Sequence, residues 1–265
     1  MTGSNVTNAS KLLLDPEEPP PVEIINAGGR NNTILLCDHA SNLVPRRLGN
    51  LGLDPIQLAE HIAWDPGAAV VARGLSARLD APLVLCGYSR LVIDCNRSPS
   101  SAESIPEQSA GISIPGNQGL GQEQKARRRK ELFEPYHLAI SKLLENRSQS
   151  STLLLSIHSF TPVLNGLLRP WPVGVCYGRD PRLARLMLRA LAERVDAEVG
   201  DNQPYAIDDQ IDYTIPFHGE VHRLPSVMIE IRQDQIGTAS AAAGWTTQLA
   251  DAWLQIAAKA QCLQV

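Results

Sequence analysis

The 265-residue chain has no long hydrophobic run, no closely paired cysteines and no strong excess of charge of either sign. No apolar stretch approaches the ~20 residues needed to cross a bilayer, so we expect no membrane-spanning segment. The N-terminus also lacks the basic and then apolar pattern of a secretory signal, which leads us to expect a cytoplasmic protein.

Cysteine is scarce and scattered. The five cysteines include no C-x-x-C pair, and Cys37, Cys86 and Cys176 lie in apolar runs where a thiol behaves as a small hydrophobic group. We therefore expect free buried thiols rather than disulfides or a sulfur-bound metal.

One block of basic residues, 125–130, stands out against a formal net charge of only −4. It lies in a segment with helical periodicity and has no aromatic side chains beside it on which bases could stack. We interpret the block as a solvated helical face and expect no nucleic-acid partner.

Apolar runs alternate with amphipathic segments along the chain. The runs that resemble strands are 22–25, 33–37, 83–86, 90–94, 152–157, 173–177 and 226–231. Segments with helical periodicity are 54–61, 65–79, 123–146, 180–195 and 240–262. This alternation predicts an α/β fold, a three-layer αβα sandwich around a central mixed, mostly parallel, twisted sheet.

The remaining segments are rich in polar residues, glycine and proline. Residues 1–21 are predicted to be a flexible N-terminal tail, which leaves 22–265 as a single catalytic domain. The segments 98–122 and 200–222 are predicted to be loops, and loops of that length within a compact domain are usually functional.

Three apolar runs end in, or contain, side chains that can carry chemistry. His39 follows the run 33–37, His158 closes another, and Glu230 lies inside a third. Ligands and catalytic groups collect at the carboxyl ends of strands in open α/β sheets. A catalytic zinc needs three protein ligands, so the histidines are candidate ligands. A carboxylate in a buried strand is costly unless it is paired or close to a metal, which makes Glu230 a candidate general base.

Two arginines surround the predicted strand 90–94. Arg90 opens this segment, and Asn96 and Arg97 directly follow it. The guanidinium group grips carboxylates with two hydrogen bonds and stays charged at any working pH. These residues are therefore candidates for binding an anionic or polarised substrate group at the same edge of the sheet.

The order of these segments resembles that of zinc carboxypeptidases and the aspartoacylase branch of their superfamily, and more closely that of the N-formylglutamate amidohydrolase family. The matching motifs are Asp38-His39-Ala40-Ser41-Asn42, His61-Ile62-Ala63-Trp64-Asp65-Pro66-Gly67-Ala68, Tyr88-Ser89-Arg90, Asn96-Arg97, His158-Ser159-Phe160-Thr161-Pro162 and Ile229-Glu230-Ile231-Arg232. The resemblance as a whole spans about residues 22 to 260.

The resemblance leaves the third metal ligand open. The peptidases take it from a glutamate three residues after the first histidine, where this chain has Asn42. We predict Asp65 in its place, with His61 as the alternative. Asp65 has a competing interpretation, because Asp65-Pro66 also has the form of a helix start in which the aspartate caps the helix.

The resemblance implies a role for each candidate residue. One Zn²⁺, or another divalent transition metal, would be held by His39, Asp65 and His158. Glu230 would be the general base, and Arg90 would face the developing oxyanion. Substrate contacts are expected from Asn96 and Arg97, which would hold the α-carboxylate. Apart from the resemblance, Tyr213 and His218 are candidates because their loop precedes the Glu230 strand and could cover the pocket. Arg169, which follows the His158 strand, is a candidate for a second substrate carboxylate.

The reaction implied is hydrolysis of the amide of an N-formyl or other small N-acyl amino acid, such as N-formylglutamate. Two other hypotheses compete with it. One is a zinc carboxypeptidase or a deacylase for larger N-acyl amino acids. The other, motivated by Asn42, is a metal-free binding or scaffold protein on the same fold.

Overall fold

Seven strands form one central sheet in the part of the chain that the structure describes. The computed structural model describes residues 12–147 and 151–263. The strands of this sheet are β1 (Val22–Ile25), β2 (Thr33–Cys37), β3 (Leu83–Cys86), β6 (Leu153–Phe160), β9 (Val173–Cys176), β10 (Gly200–Asp201) and β11 (Ser226–Arg232). Their order across the sheet is β1-β3-β2-β6-β11-β9-β10. Strands β3, β2, β6 and β11 run parallel, while β1 and β9 are antiparallel to β3 and β11. The predicted mixed, mostly parallel sheet is confirmed.

Helices cover both faces of this sheet. They are α1 (Pro55–Ala59), α2 (Ala68–Leu79), α3 (Gln122–Arg128), α4 (Glu134–Glu145), α5 (Arg182–Ala192) and α6 (Ala239–Gln261). Alternate residues of a strand point to opposite faces, so β2 sends Leu35 to the layer containing α2, α5 and α6, and Leu36 to the layer containing α4. Among the described residues, no helix is both long and apolar enough to span a membrane.

Two short hairpins lie outside the central sheet. One pairs β4 (Gln108–Ser109) with β5 (Ile112–Ser113), within the predicted loop 98–122. The other pairs β7 (Val163–Leu164) with β8 (Leu167–Leu168), directly after β6. Both therefore project from segments that leave the sheet at the edge where the candidate residues lie.

The predicted strand 90–94 is wrong. This apolar segment is buried as a series of turns, and its backbone groups bond to neighbouring loops rather than to a strand. The Arg90 amide donates to Ala63 O at 3.2 Å, and the Asp94 amide donates to Ser104 O at 2.8 Å. A segment that is buried with its backbone hydrogen-bonded to loops has the same apolar composition as a strand buried within a sheet.

The basic block 125–130 is not entirely a solvated face, because Arg128 is buried. Its guanidinium donates to Val92 O at 2.9 Å, to Asn117 Oδ1 at 2.7 Å and to Gly116 O at 3.1 Å. This side chain thereby ties the helix to the buried loop. The helix itself is continuous but passes through a π-helical segment, Arg129–Phe133, between α3 and α4.

The described part of the predicted tail, residues 12–21, packs against the domain. Leu13 is buried, and its amide donates to both carboxylate oxygens of Glu131 at 2.8–2.9 Å. Tyr88 Oη donates to Pro19 O at 2.7 Å. The packed part of the chain therefore begins before Val22, and the first 11 residues of the predicted tail lie outside the described residues.

Candidate active site

Three neighbouring parallel strands bring His39, His158 and Glu230 to one edge of the sheet. His39 lies two residues past the end of β2, and β6 pairs with β2 on one side and with β11 on the other. His158 and Glu230 are directly opposite each other in the β6–β11 register, so their side chains leave the same face of the sheet. The predicted convergence of the strand ends therefore occurs.

Asp65 reaches this edge from a turn rather than from a helix. Its amide donates to His39 O at 2.9 Å, which fixes the turn beside the first histidine. Helix α2 begins only at Ala68, with Gly67 as its N-cap in a left-handed conformation of φ 82°. A Cβ at Gly67 would also lie 2.8 Å from the Ile236 side chain. Asp65 is therefore not the helix cap that Asp65-Pro66 suggested, and its carboxylate is free to face the histidines.

The three predicted ligands converge on one point. Asp65 Oδ2 lies 2.9 Å from His158 Nδ1 and 3.3 Å from His39 Nδ1. One ligand atom from each of the three side chains lies within 4.8 Å of the other two, and all three residues are buried. This arrangement forms a candidate site for a single metal ion.

A carboxylate also contacts the other nitrogen of each ring. His39 Nε2 lies 2.8 Å from Asp94 Oδ1, and His158 Nε2 lies 2.9 Å from Asp38 Oδ2. When Nε2 donates its proton to a carboxylate, Nδ1 presents a lone pair toward Asp65. Lone pairs that converge in this way need a cation between them, and metal-binding histidines are generally oriented by such carboxylates. The donor set fits a divalent transition metal.

The electrostatics of the cluster agree with this assignment. Burial and the nearby Arg90 lower the pKa of His39, but the charges of Asp94 and Asp65 outweigh them and raise it above its ordinary value. Burial also acts to lower the pKa of His158, but the hydrogen bonds to Asp38 and Asp65 outweigh it, and the pKa lies well above its ordinary value. Both rings therefore lie in an environment that stabilises positive charge.

The two alternatives to Asp65 are oriented differently. Asn42 donates its amide to Leu58 O at 2.9 Å, so it is engaged away from the cluster. His61 Nδ1 lies 3.7 Å from Asp65 Oδ1 but accepts a hydrogen bond from Gln233 Nε2 at 2.8 Å. Burial lowers the pKa of His61 to about 4. Of the three candidates, Asp65 is the one that contacts both ligand histidines.

Glu230 lies beside this cluster with its charge poorly compensated. It is buried, and its Oε2 has no hydrogen-bond partner within the described ranges 12–147 and 151–263. Burial raises the pKa of Glu230 to about 7. A carboxylate with a pKa near neutrality can both accept and return a proton, which is the property that a general base requires.

Arg90 combines a structural contact with access to the site. Its Nε and Nη2 donate to Asp94 Oδ2 at 3.0 and 2.7 Å, which fixes the carboxylate that also binds His39. Its Nη1 lies 3.7 Å from Asp65 Oδ1. The guanidinium is therefore held rigidly at the cluster with one edge facing the cavity.

A cavity of about 360 Å³ opens over these groups. The three candidate metal ligands, Glu230 and Arg90 form one part of its wall. The loop that follows β10 contributes much of the rest. The lining residues of this loop are Tyr205, Ala206, Asp208, Ile211 and Asp212. The segment 200–222, predicted as a functional loop, therefore covers part of the candidate site.

Asn96 and Arg97 line this cavity, where they bind an aspartate of the loop. Asn96 Nδ2 and Arg97 Nη1 both donate to Asp212 Oδ1, at 3.0 and 2.8 Å. Asn96 Oδ1 also accepts from the amides of Tyr213 and Thr214 at 3.2 and 3.0 Å. The pair is thus able to hold a carboxylate, and in this structure it holds an internal one.

Arg169 lies near the cavity, behind Tyr205. Its Nη2 donates to Tyr205 Oη at 2.7 Å, and its guanidinium carbon lies 4.9 Å from the centre of that ring and 5.6 Å from the Phe160 ring. It is buried and does not itself line the cavity.

Tyr213 and His218 do not lie where the sequence analysis expected them. Tyr213 packs against Phe133, His137 and Phe217 and is not part of the cavity wall. His218 has no exposed surface, and its Nε2 lies 2.9 Å from His137 Nδ1. The π-helical segment Ile215–Glu220 turns the His218 side chain inward, whereas the half-buried Tyr213 lines a separate cavity with Asp209 and Phe217. Neither residue lines the cavity over His39, Asp65 and His158.

Several residues of the site were missed as individual contributors. Asp38 lies in the motif around His39 and Asp94 in the predicted strand 90–94, but the sequence did not indicate their contacts to the second nitrogen of each histidine. Thr214 Oγ1 donates to Asp38 Oδ1 at 2.5 Å and so extends this support. The positions of the two aspartates, Asp38 beside His39 and Asp94 close to Asn96, could have indicated their roles. Nothing in the sequence indicated the contacts of Thr214 or Asp212.

Comparisons with known proteins agree with the geometry. The family model described as N-formylglutamate amidohydrolase matches residues 32–237, most of the chain. The chain belongs to the N-formylglutamate amidohydrolase family. No curated protein sequence matches it significantly.

Solved structures similar to the chain include two of nearly full coverage. The gene product Atu2144 from Agrobacterium tumefaciens has 36% identity and a TM-score of 0.88, over 95% of this chain and 98% of that one. N-formylglutamate amidohydrolase from Ralstonia eutropha JMP134 has 18% identity and a TM-score of 0.60, over 92% of this chain and 99% of that one. The second likeness shows the fold, and the family membership supports an amide hydrolase.

Proposed function

We propose that the chain is a metal-dependent amidohydrolase that cleaves the amide of an N-formyl or other small N-acyl amino acid, with N-formylglutamate as the first candidate. The observation that carries this proposal is the cluster of His39, Asp65 and His158, with Asp94 and Asp38 on the outer nitrogens of the histidines. Imidazole and carboxylate donors suit zinc and also accept iron, cobalt or nickel.

The three ligand side chains would hold the ion beside Glu230. The chemistry that a divalent cation supplies there is to lower the pKa of water toward ~7 and to polarise a carbonyl. Glu230 removes the proton from the attacking water as its oxygen bonds to the acyl carbon. The same carboxyl group then returns the proton to the amine nitrogen as the C–N bond breaks. The products are formate, or another carboxylic acid, and the free amino acid.

Arg90 is proposed to stabilise the developing oxyanion. Its Nε and Nη2 are fixed by Asp94, so its Nη1 can donate to the carbonyl oxygen without being reoriented. A donor held in place before the reaction needs no reorganisation as charge develops, which is why such groups contribute strongly to catalysis.

Asn96 and Arg97 are proposed to bind the α-carboxylate of the amino acid. Their joint contact with Asp212 Oδ1 supports this role, because it is a carboxylate held by the same two side chains. A substrate carboxylate would share or take over these donors from Asp212. Arg169 is proposed for a second carboxylate, such as that of glutamate, which it would meet at Tyr205, the cavity residue to which its Nη2 donates.

The test is hydrolysis by protein purified without chelator and loaded with Zn²⁺. Formate release from N-formyl-L-glutamate is expected, together with about one bound metal ion per chain and loss of activity on chelation. His158→Ala should remove both activity and metal, whereas His222→Ala, at an exposed position, should remove neither. Amino-acid release from peptides without formate release would favour the carboxypeptidase hypothesis instead. Failure to bind metal would favour the scaffold hypothesis.

A further inference from the structure

A second cavity, of about 410 Å³, adjoins the candidate active site. The two cavities have His61, Arg90, Arg97 and Glu103 in common in their walls. A substrate bound at the metal cluster could therefore extend past Arg90 into this second space.

The outer wall of the second cavity is built by the tips of the two hairpins. Ala110, at the turn between β4 and β5, lines it from one side. Leu164 and Asn165, at the turn between β7 and β8, line it from the other. Because the β7–β8 hairpin directly follows the strand that carries His158, its tip is positioned by the same strand as the metal ligand.

The β7–β8 hairpin is unusually apolar for a solvent-exposed element. All four of its strand residues are apolar, and all are exposed, from 40% for Leu164 to 73% for Leu167. A two-stranded hairpin is marginally stable by itself, and these side chains gain little from packing where they are. Exposed apolar groups beside a cavity are typical of a binding surface.

The charged groups of the second cavity are already neutralised. Arg90 is paired with Asp94, and Arg97 with Asp212 at 2.8 Å and Glu103 at 3.8 Å. The rest of the wall includes Gln108, Ser109 and Pro106, which are uncharged. This surface has no unpaired arginine to attract an anion and suits an uncharged group.

The proposed carboxylate contacts identify which end of the substrate enters this space. Of the two proposed carboxylate contacts, Asn96 lines the first cavity and not the second, whereas Arg97 borders both, so the substrate carboxylate is assigned to the side of Arg97 that faces the first cavity. Arg90, the proposed donor to the scissile carbonyl, borders both. The second cavity therefore lies on the acyl side of the amide.

We propose that the second cavity is a subsite for an uncharged, largely apolar acyl chain, with Leu164 as a residue that determines specificity. This inference rests on the proposed amidohydrolase function and extends its substrate class to N-acyl amino acids with acyl groups longer than formyl.

The experiment measures a series of N-acyl-L-glutamates with formyl, acetyl, butanoyl and hexanoyl groups. The kcat/KM of the zinc-loaded enzyme is determined for each compound. Binding of the same compounds to Glu230→Gln, which should not turn them over, is measured by titration calorimetry. Burial of each methylene should raise kcat/KM and affinity by about three- to fourfold until the cavity is filled.

Leu164→Ser and Leu168→Ser form a matched pair. Leu164 lines the cavity, whereas Leu168, 71% exposed, lies on the opposite face of the same hairpin and outside the cavity wall. Leu164→Ser should lower kcat/KM for the hexanoyl compound by about fivefold and leave that for the formyl compound within twofold, since it removes apolar contact only. Leu168→Ser should change neither by more than twofold.

Equal kcat/KM and affinity across the series, or an equal loss in both serine variants, would overturn the subsite. Affinity that depends on chain length and on Leu164, without turnover of any compound, would support the subsite and reject the hydrolase function. Turnover of the formyl compound alone would support the function and reject the subsite.

Discussion

Two pairs of buried histidines lie in the same domain and have opposite surroundings. His39 and His158 each have a carboxylate on Nε2 and share a third carboxylate, Asp65, on Nδ1. His137 and His218 contact each other at 2.9 Å, and their surroundings are mainly aromatic. The first pair is built to hold positive charge and the second to exclude it.

The hydrogen bonds of the second pair define its protonation. His137 Nε2 donates to Cys95 O at 2.9 Å, so His137 Nδ1 accepts the proton of His218 Nε2. His218 Nδ1 then carries a lone pair, and it has no hydrogen-bond partner in the described parts of the chain. Burial lowers the pKa of His137 to about 4 and that of His218 to about 3. Carboxylate neighbours, and not burial, therefore distinguish the candidate metal-binding pair from the second pair.

The largest expected effect concerns Glu230, the proposed general base beside the first pair. Glu230→Gln should lower kcat by about 10²- to 10⁴-fold, because the amide cannot accept the proton of the attacking water. Metal content should remain near that of the wild type, since Glu230 is not among the three ligands. Parallel activity and metal measurements check this. The matched control is Glu103→Gln at the cavity rim, 72% exposed, which should stay within about threefold. Loss of metal in Glu230→Gln would show that Glu230 is a ligand.

Next in size is the effect of removing the carboxylate shared by the first pair. Asp65→Asn should weaken Zn²⁺ binding by at least about 100-fold, more than the loss usual for a group outside the ligands. His61→Asn should weaken binding by less than tenfold, because His61 contacts neither ligand histidine in the structure. Competition against a chelating dye measures both affinities. The opposite ranking would make His61 the third ligand.

Removal of the outer carboxylates should have a smaller effect. Asp38→Asn and Asp94→Asn retain the size of the side chain but lose the charge that orients each ring, so Zn²⁺ affinity should fall by about 10- to 100-fold. The same competition assay measures this loss, with Asp234→Asn on the exposed surface as the control. Unchanged affinity in both variants would mean that these carboxylates do not distinguish the two histidine pairs.

Much of this architecture was predictable because burial leaves a direct mark on the sequence. Strands β2, β6 and β11 are continuous apolar runs, and parallel strands ending at one edge bring His39, His158 and Glu230 together. The segment 90–94 has the same composition for another reason, since its backbone is satisfied by loops.

Contacts between distant loops could not be predicted in this way. Arg97 donates a hydrogen bond to Asp212, which lies 115 residues later in the sequence, and no local periodicity indicates such a pair. The burial of His218 could not be predicted either, because it depends on a π-helical segment, which leaves no distinct pattern in the sequence. Arg128 was misassigned because a helical charge block gives no indication that one of its members is buried.

The smallest expected effect is on folding, where the second pair should make the protein sensitive to acid. Since the pKa values of His137 and His218 are lower in the folded state than the ordinary value of about 6.5, the unfolded chain binds protons first as the pH falls. Their contribution to stability is therefore complete above about pH 6.5 and is lost progressively toward pH 4. Between pH 7 and pH 6 the two residues together should lower the free energy of unfolding by about 1 kcal/mol.

Urea unfolding at the two pH values, in the wild type and in His218→Phe, measures this contribution. The His39 and His158 pair, whose pKa values are raised, acts in the opposite direction, so the comparison between variants isolates the second pair. His218→Phe should lose about half of the pH-dependent decrease, because phenylalanine cannot take up a proton in the unfolded chain. His222→Gln, at an exposed position, should retain all of it. If the free energy of unfolding falls as much between pH 7 and pH 6 in His218→Phe as in the wild type, the aromatic surroundings do not exclude the proton. The contrast between the two pairs would then lie in metal binding alone.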